Sequence, residues 1–147
     1  MKKNILNRKG FTLVELLATI AILAVVMGIA TFSITAIIKN SKEKNYQLLI
    51  TNIKDAAETY YQECKYSNNT GITCNKNNTD GSLKTTLGEL LTYGYLKGND
   101  TEGKNVITNP QKNNIDISSC SIIIKYNNGS ISVENDSSIV NDTCPTF

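Results

Sequence analysis

The sequence predicts an α+β protein in which a long N-terminal helical spine, membrane-embedded in its first half, packs against a small antiparallel β-sheet. Three observations predict it. Residues 11–38 form a run of 28 residues with Glu15 as its only charge. Beyond it the apolar residues change from continuous to periodic, at the 3 to 4 spacing of an amphipathic helix. Near the C-terminus two β-rich runs flank Asn127-Asn128-Gly129, a hairpin turn signal.

As a helix, the apolar run would measure about 42 Å, ample for a bilayer core of about 30 Å. Lys2, Lys3, Arg8 and Lys9 precede it and no cation interrupts it, so the positive-inside rule places the N-terminus in the cytoplasm and everything after Lys39 outside. A secretory signal peptide is disfavoured, because its apolar region is shorter and ends at small residues. A carboxylate in this setting is costly, and Glu15 therefore needs a partner.

Leu48, Leu49, Ile53, Ala56, Ala57, Tyr60 and Cys64 then recur among Lys, Asn, Glu and Gln, and no Pro or Gly separates them from the apolar run. One unbroken helix from Phe11 to about residue 65 is expected, about 80 Å long. Residues 67–82 are rich in Asn, Thr and Gly and read as a surface loop carrying Cys74. A short helix over 86–93 follows, with Thr86 and Glu89 at capping-box spacing, Leu87, Leu90 and Leu91 as its apolar face, and Gly94 ending it.

The hairpin spans 120–134, with Cys120, Ile122, Ile124 and Tyr126 on one face and Ile131 and Val133 opposite. A third strand is sought at Ile139-Val140 or around 115–117, because a lone hairpin is marginal. Cys64, Cys74, Cys120 and Cys144 all fall on the oxidising side, which predicts two disulfides among three connectivities. Cys64–Cys74 and Cys120–Cys144 are favoured, since each closes a short loop between segments the fold brings near. These bridges make the C-terminal tail part of the head.

Composition narrows the function. The four N-terminal cations account for the formal charge of +2, and from Phe11 onward 11 lysines face 13 acidic residues. With Arg8 the only arginine and no Trp, no nucleic-acid partner is expected. The chain has no histidine and no C-x-x-C pair, so no catalytic site, metal or cofactor is expected. N-x-S/T triplets begin at Asn68, Asn77, Asn99, Asn128, Asn135 and Asn141 but carry little weight in so asparagine-rich a chain.

The stretch KGFTLVELLATIAILAVVMG closely resembles the cleavage and methylation segment of class A type IV prepilins and of the type II secretion and competence pseudopilins. The resemblance implies three parts: a leader at 1–10, a transmembrane and polymerisation helix at 11–38, and an extracytoplasmic pilin head at 39–147. It implies cleavage between Gly10 and Phe11 by a prepilin peptidase, N-methylation of Phe11, and pairing of Glu15 with the Phe11 ammonium of a neighbouring subunit, which fixes axial register. Pairing of Glu15 with its own N-terminus is the weaker alternative.

The implied partners are other pilin subunits in a helical filament, the peptidase and N-methyltransferase, an inner-membrane assembly platform, and membrane lipid before assembly. The implied role is that of a pilus subunit in adhesion, motility or a related surface function. A secretion or competence pseudopilin is the alternative, and a non-polymerising membrane-anchored binding module a second. The C-terminal cysteines and the lack of a calcium-binding loop favour a pilin. Phe32 departs from the family, many of whose members have a proline at the corresponding place, which leaves Gly28 as the main helix-weakening residue.

Overall fold

The computed structural model describes residues 10–66, 71–77, 80–137 and 142–147, without the side chains of 30–33. Met1 to Lys9 of the leader, the candidate strand Ile139-Val140, Asn68, Asn141 and the Phe32 side chain lie outside the described residues. The chain divides into two compact units, Met1–Asn40 and Ser41–Phe147.

A single helix, α1 (Leu13–Tyr66), supplies 54 residues to the two units and runs without interruption through Gly28. In the first unit its apolar side chains, among them Leu13, Leu17, Leu23 and Val26, are exposed. Its most apolar window has a mean hydropathy of 2.5 and none of it is buried, so by length and composition this helix can cross a membrane.

In the second unit, α1 buries a stripe made by Tyr46, Ile50, Ile53, Ala57, Tyr60 and Cys64. Their alternating spacing of 4 and 3 keeps one face of a 3.6-residue helix turned inward. Leu48 corrects the expected stripe: it is 59% exposed, whereas Tyr46 and Ile50 are each 9% exposed. Tyr46 and Ile50 lie on the line extended from Ile53 and Ala57, and Leu48 lies off it.

The main sheet pairs β1 (Asn75–Lys76), β2 (Leu83–Thr86), β7 (Ser121–Asn127) and β8 (Ser130–Asn135) in the order β1-β2-β7-β8, all antiparallel. In the β7–β8 hairpin Ile124 faces Val133 and Tyr126 faces Ile131. Asn128 (φ 49°) and Gly129 (φ 90°) both take positive φ, as a two-residue type I′ turn demands.

The strand beside β7 is one the sequence did not announce, and the candidate Ile139-Val140 lies outside the described residues. Leu83–Thr86 fills the place beside β7, with Leu83 opposite Ile124 and Thr85 opposite Ile122. Its sequence, LKTT, contains one apolar residue, and its burial comes from pairing with a central strand rather than from its own pattern. Ile115–Asp116 is β6 and pairs with β5 (Thr108–Asn109) in a separate ribbon. A second ribbon, β3 (Asn99–Thr101) with β4 (Lys104–Val106), turns at Glu102 (φ 53°) and Gly103 (φ 76°). Its polar, exposed strands gave no alternating signal.

Between β2 and β3, α2 (Leu87–Thr92) is capped at both ends. Thr86 and Glu89 form the capping box. At the other end Gly94 (φ 82°) lets its N–H reach the Leu91 carbonyl and the Tyr95 N–H reach that of Leu90, a Schellman closure.

The core between the α1 stripe and the sheet centres on Tyr60, which is fully buried, stacks on Tyr93 at 6.4 Å and meets the edge of Tyr95 at 6.0 Å. The Tyr60 hydroxyl donates to the Thr73 carbonyl at 2.9 Å, and the Tyr95 hydroxyl to the Glu63 carboxylate at 2.6 Å.

Cys64–Cys74 ties the last turn of α1 to the following loop, and Cys120–Cys144 ties the tail to the start of β7. With sequence separations of 10 and 24, each contributes roughly 3 kcal/mol in the loop-entropy account. The tail also reaches α1, where the Thr146 N–H donates to the Tyr46 hydroxyl at 3.0 Å. Lys84 on β2 forms an ion pair with the buried Asp136 just past β8.

Candidate functional site: the start of the long helix

The chemistry singled out by the sequence gathers at the first turn of α1. Gly10, Phe11 and Thr12 are non-helical and exposed. The Thr12 carbonyl accepts the first helical hydrogen bond, from the Leu16 N–H at 3.2 Å, which makes Thr12 the N-cap.

Glu15 turns back onto that cap. Its carboxylate accepts from the Thr12 N–H at 2.9 Å and from the Thr12 hydroxyl at 3.0 Å, while Thr12 Oγ1 accepts from the Glu15 N–H at 3.3 Å. This reciprocal pair is a capping box. The charge of Glu15 points to a cation as its partner, but here its partner is Thr12. The signal was present, because Thr-x-x-Glu ahead of an apolar run is a capping-box pattern.

Gly10 stands in open space, and a Cβ added there would meet nothing within 4 Å. Phe11 is 83% exposed. Nothing in the described chain therefore requires the smallest residue at position 10.

The four cysteines, by contrast, lie in the second unit as two structural bridges with no free thiol. Among the described residues no group of three or more His, Cys, Asp or Glu side chains could hold a metal ion.

Residues 5–31 match the family model of the prokaryotic N-terminal methylation motif. The chain carries a prepilin-type signal. The motif covers Gly10, Phe11, Thr12 and Glu15 and the first 19 residues of α1. It supports a type IV pilin-like or pseudopilin protein, a class of structural subunit that assembles with its own kind after prepilin peptidase processing. The prepilin-type signal and the exposed apolar helix behind it fit a membrane-anchored protein that ends up outside the cell. The α+β layout, a long N-terminal helix packed with a small antiparallel sheet, is like that of type IV pilins. No curated protein and no solved structure matches the chain.

Proposed function

We propose that this chain is a structural subunit of a type IV pilus. The prepilin is cut between Gly10 and Phe11, methylated on the new Phe11 amine, and polymerised through residues 11–38, with the head of residues 39–147 displayed outside. The observation that carries this reading is the coincidence of the prepilin-type signal with a helix start whose described apolar side chains, from Leu13 to Ile38, are exposed. So much exposed apolar surface belongs in lipid or against other copies of the same helix.

In the membrane the N-terminus lies on the cytoplasmic side and the head outside. Assembly exchanges lipid for neighbouring subunits. Cleavage creates an ammonium at Phe11, and a charge within an apolar bundle is tolerable only when paired. Glu15 of an adjacent subunit is its partner, and because an apolar helix slides at little cost, that ion pair fixes the axial offset between subunits. The Cys120–Cys144 bridge near the C-terminus supports the pilus over the pseudopilus.

The test is the intact mass and N-terminal sequence of assembled material, with recovery of long surface fibres after shearing. N-methyl-Phe11 at the start of sheared fibres is the expected result. A mass corresponding to residues 1–147 in filaments would overturn the processing step, and a correctly processed chain that yields no surface fibre would favour a pseudopilin.

A further inference from the structure

We infer that the Thr12–Glu15 capping box is a positioning device for processing: it halts α1 at Leu13, so that the peptide bond between Gly10 and Phe11 stays extended and open to the peptidase. This rests on reading the chain as a precursor cut at that bond. The residue it singles out is Thr12.

A peptidase must reach the carbonyl carbon of the bond it cuts. Within a helix that carbonyl is engaged four residues on and flanked by adjacent turns. Two of the hydrogen bonds that would carry α1 backward toward the bond are diverted here. A continued helix would send the Glu15 N–H to the Phe11 carbonyl, but it goes to Thr12 Oγ1. It would send the Thr12 N–H to the Arg8 carbonyl, but that goes to the Glu15 carboxylate. The hydroxyl and the carboxylate thus replace the helix's own continuation on both counts.

Without the cap the Thr12 and Glu15 N–H groups lose these acceptors, and one further helical turn would give them the Arg8 and Phe11 carbonyls in exchange. The next upstream residue with a capping side chain is Asn7, and a helix begun there would enclose the bond. Gly10 disfavours that helix but does not forbid it.

The test uses the full-length precursor in membranes with a prepilin peptidase, following the appearance of the 11–147 product by mass. Thr12→Val keeps the shape and removes the hydroxyl, whereas Thr12→Ser and Thr12→Asn keep a capping oxygen. Val is expected to slow cleavage about fivefold, the typical worth of an N-cap, with Ser and Asn within twofold of wild type. Cleavage of the Val variant at the wild-type rate would overturn the inference, as would Ser and Asn variants as slow as Val. Wild-type chain left uncut between Gly10 and Phe11 would overturn the precursor reading itself.

A second measurement needs no enzyme. The Cα chemical shifts of Gly10 and Phe11 in the micelle-bound precursor should be extended in wild type and move toward helical values in Thr12→Val. Helical shifts in wild type, or no change in the variant, would overturn the inference whatever the cleavage rates.

Discussion

Tyr60 is where the sheet domain is most open to a quantitative test. Its side chain is fully buried between Tyr93 and Tyr95, and its hydroxyl reaches the Thr73 carbonyl next to the Cys74 bridge. Tyr60→Phe removes one hydrogen bond and leaves the ring. Thr73 is exposed, so water can take over its carbonyl, and the expected cost is about 1 kcal/mol. Tyr60→Ala empties the site and breaks both ring contacts, for about 3 to 5 kcal/mol. Against a typical domain stability of about 5 to 15 kcal/mol, the second change removes a large share.

The assay is guanidinium unfolding of the full chain in detergent micelles, followed by near-ultraviolet circular dichroism, which reports tyrosine packing rather than the apolar helix. Tyr60→Phe should shift the midpoint slightly, and Tyr60→Ala severalfold more. An alanine variant within about 1 kcal/mol of wild type would refute a core centred on Tyr60. Equal losses for Phe and Ala would show that the hydroxyl, not the ring, dominates.

Glu15→Leu is expected to leave membrane-bound monomer undiminished, since a carboxylate near the helix start costs up to a few kcal/mol in a membrane, while abolishing sheared filaments. Glu15→Gln keeps an acceptor for the Thr12 N–H, so filament loss there as well would assign the effect to charge rather than to the cap. On α1, Ile50→Asp should destabilise the sheet domain by several kcal/mol by burying an unpaired carboxylate, whereas Leu48→Asp should change its thermal midpoint little. Burial first, and then the neighbouring Glu63, raise the pKa of Tyr95 above the ordinary tyrosine value. Its contribution to stability is therefore complete below about pH 10 and is lost as pH rises through the folded pKa. Tyr95→Phe should flatten the alkaline arm of a stability-against-pH curve.

The long helix and the hairpin were legible because each has a periodicity of its own. Apolar residues at 3 to 4 spacing mark the inward stripe, and Asn128-Gly129 marks the turn. Both caps of α2 were equally local, written in Thr86, Glu89 and Gly94. What the sequence hid depends on pairing partners. Leu83–Thr86 is a strand because β7 lies beside it, and Lys84 and Thr86 give no sign of that alone. Leu48 attracted attention as an apolar residue next to Leu49, yet helix geometry sends it outward and brings Tyr46 inward. At the candidate site Glu15 is conspicuous as the one charge of the apolar run, while Thr12, which binds it at the helix start, is an uncharged member of that run whose capping spacing to Glu15 is the only mark of its role.

The two disulfides have a mechanical consequence. In the proposed filament, tension would load each subunit through its long helix. Cys64–Cys74 closes a loop at the end of that helix, and Cys120–Cys144 closes another around the β7–β8 hairpin. Residues inside a closed loop cannot be drawn out by its ends. At about 3.4 Å per extended residue, the two bridges withhold on the order of 100 Å of contour from stretching. A head that yielded under load would therefore lengthen far less than its residue count allows, and the hairpin would keep its covalent closure.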